Sequence, residues 1–151
     1  FMIDFPCEPK METLYTSDSE TGITLQYDEI GCECDKGVYK VLIFDLESLK
    51  DSLQSSAGLD SLFSLLTRSF IKSSSLALGG LELNISMYEP VTYNGIPGRE
   101  VKALSTSNEV ALFGRIYYRN DKGYLNFLLY NNHSKASVAK NQFIYSFTFL
   151  D

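Results

Sequence analysis

Apolar and polar residues alternate through Ile23-Thr24-Leu25-Gln26-Tyr27-Asp28. That is the period of a strand with one wetted face. Asp18 to Gly22 precedes it as a turn, and a second turn is expected around Gly31 to Gly37. Val38-Tyr39-Lys40-Val41-Leu42-Ile43-Phe44-Asp45 is apolar on both faces at its middle, which predicts a central strand covered on both sides. From Leu46 the period lengthens. Leu46, Leu49 and Leu53, then Leu59, Leu62, Phe63, Leu66 and Phe70, repeat every three or four positions. We expect a short helix, a break between Ser55 and Gly58, and a longer helix with Asp60 in its first turn. Ser73-Ser74-Ser75 and Gly79-Gly80 read as a loop.

Leu81, Leu83, Ile85 and Met87 alternate with polar partners up to Pro90, which is expected to end that strand. Tyr93 to Gly98 is turn chemistry. Strands are expected at 99–105, 109–119 and 124–131, the last two joined by the hairpin turn Asn120-Asp121-Lys122-Gly123. A helix capped by Ser134 and running to Ile144 closes the pattern, followed by a short extended segment. Strands, a helix, a long meander and a helix favour an α+β fold with a mostly antiparallel sheet over a doubly wound parallel one. The expected sheet has about five to seven strands. The 59–70 helix packs on one face, and the 134–144 helix also covers the sheet. No repeat or linker divides the 151 residues, so a single domain over 1–151 is expected.

The chain carries 13 basic and 19 acidic residues, a formal charge of −6. That balance disfavours nucleic acid as a partner, because phosphate binding demands a basic surface. No run approaches the length of a membrane-spanning segment. Residues 1–75 hold thirteen acids and six bases, whereas 76–151 hold six and seven. On the 109–119 strand, Arg115, Tyr117 and Arg119 share a face by alternation. Arg and Tyr are favoured at binding surfaces. With Arg99 assumed to lie alongside, these four residues are the candidate binding site, facing a protein partner or small ligand. The alternative is a solvated face with tyrosine packed beside it.

Three cysteines are present: Cys7, Cys32 and Cys34. Cys32 and Cys34 are too close for an easy mutual bridge, so Cys7 is the natural partner of one of them. Three unbridged thiols are the other possibility. No cofactor or metal is expected, since a zinc site needs four ligands and only one histidine, His133, exists. The carboxylates of Asp28, Glu29, Glu33 and Asp35 read as a solvated acidic loop. Phosphate-binding glycine motifs are absent. No nucleophile or orienting acid is placed with His133 by any motif, so an enzyme is not the preferred reading. The chain starts at Phe1, which suggests that a signal peptide, lipoprotein leader or cloning residues preceded it.

Phe5-Pro6, Val38-Tyr39-Lys40-Val41, Asn94-Gly95-Ile96-Pro97-Gly98-Arg99-Glu100, Gly114-Arg115-Ile116-Tyr117 and Phe143-x-x-Ser146-Phe147 occur in that order. This order resembles small bacterial envelope proteins of the PsbP/Mog1-like superfamily. The resemblance implies an α/β/α sandwich and a scaffold or adaptor role without transferable catalytic residues. The function expected from it is a non-enzymatic binding or scaffold module of the bacterial cell envelope, periplasmic or otherwise extracytoplasmic, with a possible lipid anchor upstream. The alternatives are a hydrolase-type enzyme using Ser and His133, and an intracellular adaptor.

Overall fold

Two-residue turns do much of the folding work. Asn94-Gly95 and Asn120-Asp121 adopt positive φ at both central positions, the geometry whose twist matches antiparallel strands. Asp35-Lys36 joins the registered pair Cys34 and Gly37. The computed structural model describes residues 1–132 and 137–150. The expected Ser134 cap and His133 lie outside the described residues. The strands are β1 (Lys10–Ser17), β2 (Thr24–Cys34), β3 (Gly37–Asp45), β4 (Leu83–Tyr93), β5 (Ile96–Ser105), β6 (Val110–Arg119) and β7 (Lys122–Asn131). Two helices accompany them, α1 (Ser56–Ala77) and α2 (Ser137–Ser146). Two single 3-10 turns, Glu47–Leu49 and Ser52–Gln54, lead into α1.

The strands form one sheet in the order β1-β2-β3-β7-β6-β5-β4. Every neighbouring pair is antiparallel. β3 and β7 sit inside the sheet, which accounts for their apolar residues on both faces. One face carries Leu42, Phe44, Leu112, Ile116, Leu125 and Phe127, packed under Leu62, Phe63, Leu66 and Phe70 of α1. The other carries Tyr39, Val41, Phe113, Tyr117 and Leu128, packed under Phe143, Ile144 and Phe147.

The expected α/β/α sandwich is therefore corrected. About half of the residues are in strands, and one long helix covers one face of a single antiparallel sheet. The second face lacks an equivalent helical layer because aromatics from both end segments fill it. Phe1 stacks on Phe147 with centroids 5.4 Å apart, and Phe5 packs on Phe143 at 5.2 Å. Met2 and Thr148 exchange backbone hydrogen bonds of 2.8 Å, aligning those segments. Among its described side chains, α2 contributes Phe143 and Ile144 to that layer.

Local departures have steric reasons. β2 runs straight through Gly31, where a turn was expected. A Cβ there would lie 2.8 Å from Lys40 Cγ and 2.9 Å from the Tyr39 carbonyl oxygen, so the glycine serves cross-strand contact. Gly58 lies inside the first turn of α1, not in a break. A Cβ there would come within 1.8 Å of the Ser52 carbonyl oxygen. Ser55 caps the helix by accepting from the Gly58 N–H at 3.0 Å. The serine run stays helical, and α1 ends only where Gly79 and Gly80 adopt positive φ. β4 continues through Pro90, as an outermost strand permits.

Beneath α2, the Tyr39 hydroxyl is buried with no hydrogen-bond partner among the described residues. A buried unpaired hydroxyl forfeits its hydration, so Tyr39→Phe should leave stability unchanged or raise it by about 1 kcal/mol. Urea titration measures this. A loss exceeding ~1 kcal/mol would show that the hydroxyl is paired.

Candidate functional site

The sheet separates the four residues predicted to form one cationic surface. Arg99, on β5, pairs with Ile116 across the ladder but points to the α1 face. There its guanidinium bonds the Asp60 carboxylate of α1 and lies 5.2 Å from the Phe63 ring centroid. Arg115, Tyr117 and Arg119 occupy the opposite face, as alternation on β6 requires. That face is a second core. Arg115 donates from Nε to Glu100 Oε2 at 2.7 Å, and its guanidinium sits 4.2 Å from the Tyr145 centroid. Tyr117 is only 3% exposed, stacked on Phe147. Burial raises its phenol pKa, an effect partly offset by Arg115. Arg119 lies 5.1 Å from the Phe149 ring centroid. The four residues thus do not share one surface: Arg99 lies on the α1 face, and Arg115, Tyr117 and Arg119 lie on the other. The aromatic terminal segments that cover β6 give no periodic signal by which this could be read.

Cys7 and Cys32 form a disulfide with Cα atoms 6.0 Å apart, and Cys34 is the free cysteine, half-buried. The bridge ties the segment preceding β1 to the far end of β2. With the turn at Asp18–Gly22, it closes the β1–β2 hairpin at both ends. Asp18 accepts from the Thr21 hydroxyl at 2.7 Å and from the Thr21 N–H at 2.8 Å. These bonds, the hydroxyl's first, lower the Asp18 carboxyl pKa.

This hairpin concentrates the chain's charge. Residues 10–34, the hairpin itself, contain six carboxylates and one lysine, a balance of −5 against −6 for the whole chain. β1 is the outer strand, with Met11 63% and Tyr15 70% exposed. Inside this edge, the sheet runs out beyond α1 and leaves a cavity of about 300 Å³. Its lining includes Tyr27, Leu42, Phe44 and Phe127, with Ser73 and Ser74 of α1 opposite. Lys40, paired with the Glu29 carboxylate, also lines it. The uneven charge is legible in the sequence once counted hairpin by hairpin. The exposure of Met11 and Tyr15 is not, because their segment has mixed polarity whichever position it takes in the sheet.

Among the described residues, no group of three or more His, Cys, Asp or Glu is placed to hold a metal ion. No described helix is long and apolar enough to cross a membrane. Neither any protein-family model nor any curated protein matches the chain.

Proposed function

We propose that the chain is a non-enzymatic binding or scaffold module of the bacterial cell envelope, working outside the cytoplasm and docking a protein partner on its acidic β1–β2 hairpin. The observation that carries this reading is the placement of charge. A balance of −5, most of the chain's net charge of −6, belongs to the β1–β2 hairpin, residues 10–34, at one side of the sheet. A localised field steers and orients a partner of opposite sign. The Cys7–Cys32 bridge supports an oxidising compartment, where such bonds persist. The resemblance to the PsbP/Mog1-like superfamily, which includes scaffold and adaptor proteins, supports the same reading.

The test uses a fluorescein-labelled ten-residue peptide alternating Lys and Val, titrated with the oxidised full chain at low salt. Glu12 and Glu33 are exposed on the hairpin; Glu47 and Glu89 are exposed elsewhere. Charge reversal by Glu12→Lys with Glu33→Lys should weaken binding by roughly tenfold or more. The matched pair Glu47→Lys with Glu89→Lys should weaken it by less than about threefold. Equal weakening by the two pairs would show that only net charge matters and would remove the hairpin from the proposal.

A further inference from the structure

We infer that the partner docks by strand addition, an extended, cation-bearing segment of another protein pairing with the free edge of β1 as an eighth strand. This deepens the docking reading above and rests on it.

The backbone supplies the first reason. Antiparallel ladders alternate between residues that bond their neighbour and residues whose N–H and C=O point away. The Asp18 N–H donates to the Ile23 carbonyl at 2.9 Å, which fixes the phase of the β1–β2 ladder. With Thr16 opposite Leu25 and Leu14 opposite Tyr27, the even-numbered residues of β1 bond β2. The turn at Asp35-Lys36 sets the same phase from the other side of β2, through the pair Cys34 and Gly37. Met11, Thr13 and Tyr15 therefore aim their N–H and C=O groups outward. They offer alternating donors and acceptors along an unbroken register.

The other edge supplies the second reason. In β4, the turn at Asn94-Gly95 makes Tyr93 and Ile96 a bonded pair, so Tyr93, Val91 and Glu89 bond β5. Pro90 falls on the outward-facing set, where its missing N–H interrupts the row. The register also slips between Ile85 and Met87. Proline and bulges are the devices that close sheet edges to further pairing. One edge of this sheet carries both, and β1 carries neither.

Side chains and charge name the occupant. Glu12 lies on the α1 face of β1, level with Glu29 of β2. On the opposite face, Asp28 accepts from the Thr13 hydroxyl at 2.7 Å. A strand laid against β1 would meet the Glu12 carboxylate directly, with Glu29 behind it and Asp28 one strand further in on the opposite face, so a lysine or arginine opposite Glu12 is matched. Met11 and Tyr15 offer exposed apolar surface between those charges. A second copy fits worse, since pairing β1 with β1 brings two hairpins of the same negative sign together. The Cys7–Cys32 bridge anchors the chain just before β1, so the edge is ordered before a partner arrives.

The experiment compares two substitutions at Tyr15, an exposed residue with an outward N–H. Tyr15→Pro removes that donor without costing a bond to β2, whereas Tyr15→Thr keeps it. Binding of the alternating Lys-Val peptide should fall about tenfold or more in Tyr15→Pro and stay within about twofold in Tyr15→Thr. A charge-matched Lys-Pro peptide, unable to complete the ladder, should bind about tenfold more weakly. By NMR, amide exchange of Met11, Thr13 and Tyr15 should slow when the Lys-Val peptide is added. If Tyr15→Pro does not fold, the peptide comparison and the wild-type exchange decide alone. Equal binding of the two peptides, or unchanged exchange at the three amides, overturns strand addition. The docking reading then still stands if hairpin charge reversal weakens binding. No binding of either peptide overturns both. A dimer of the chain with its β1 amides protected in the absence of peptide overturns the occupant.

Discussion

Phe143→Ala is expected to destabilise the protein by about 3–5 kcal/mol. Phe143 is 1% exposed and contacts two rings, Tyr39 edge-on at 5.2 Å and Phe5 at 5.2 Å. It therefore joins α2, the sheet and the segment before β1 at one point. Truncation removes the transfer free energy of the ring and leaves a cavity bounded by the sheet, which cannot collapse to fill it. Ile144 is buried beside Phe143, and its carbonyl accepts from Asn126 Nδ2 at 3.2 Å. Tyr145→Ala is the control, since Tyr145 is 50% exposed and its ring packs against the Arg115 guanidinium. It should cost no more than about 1 kcal/mol. Equilibrium urea unfolding at constant slope separates the two. Equal midpoints for both variants would mean that α2 does not carry its face of the core.

Loss of the Cys7–Cys32 bridge should cost on the order of 3 kcal/mol, the loop-entropy value for the 25-residue separation it closes. Cys7→Ser, or reduction of the wild-type chain, should lower the thermal midpoint. Cys34→Ser should leave it nearly unchanged under oxidising conditions, because Cys34 takes no part in the bridge. The order of effects is the test. A midpoint insensitive to reductant, or a Cys34→Ser loss as large as that of Cys7→Ser, would show a different pairing in solution. Reduction should also weaken peptide binding, because it releases the anchor just before β1.

Much of the strand pattern was legible because alternation is a local property. β2 begins within one residue of the alternating run at Ile23, and Asn120-Asp121 makes the turn between β6 and β7. The apolar stripe from Leu62 to Phe70 is the buried face of α1. The misreadings share a cause, which is that a residue's effect depends on its neighbour across the sheet. Gly31 reads as a turn until Lys40 is placed opposite it. Pro90 reads as a stop until β4 is seen to be outermost. The second helical layer failed for the same reason. Phe1, Phe5, Phe147 and Phe149 carry no helical period, yet they cover a face that a long helix was expected to cover. The candidate site was less legible still. Arg115 and Arg119 show their common face by spacing, but spacing does not say whether that face meets water.

The sheet order has a kinetic consequence. β1 to β3 and β4 to β7 are each runs of neighbouring hairpins that close over short loops. A single seam, β3 against β7, joins strands on the order of 80 residues apart in the chain. Its closure loses the most chain entropy and gains contacts last, so it sets the pace of folding. Until it forms, β3 and β7, which carry apolar residues on both faces, stand as open edges. The hazard during biosynthesis is thus at the centre of the finished sheet, where the native protein shows no edge at all.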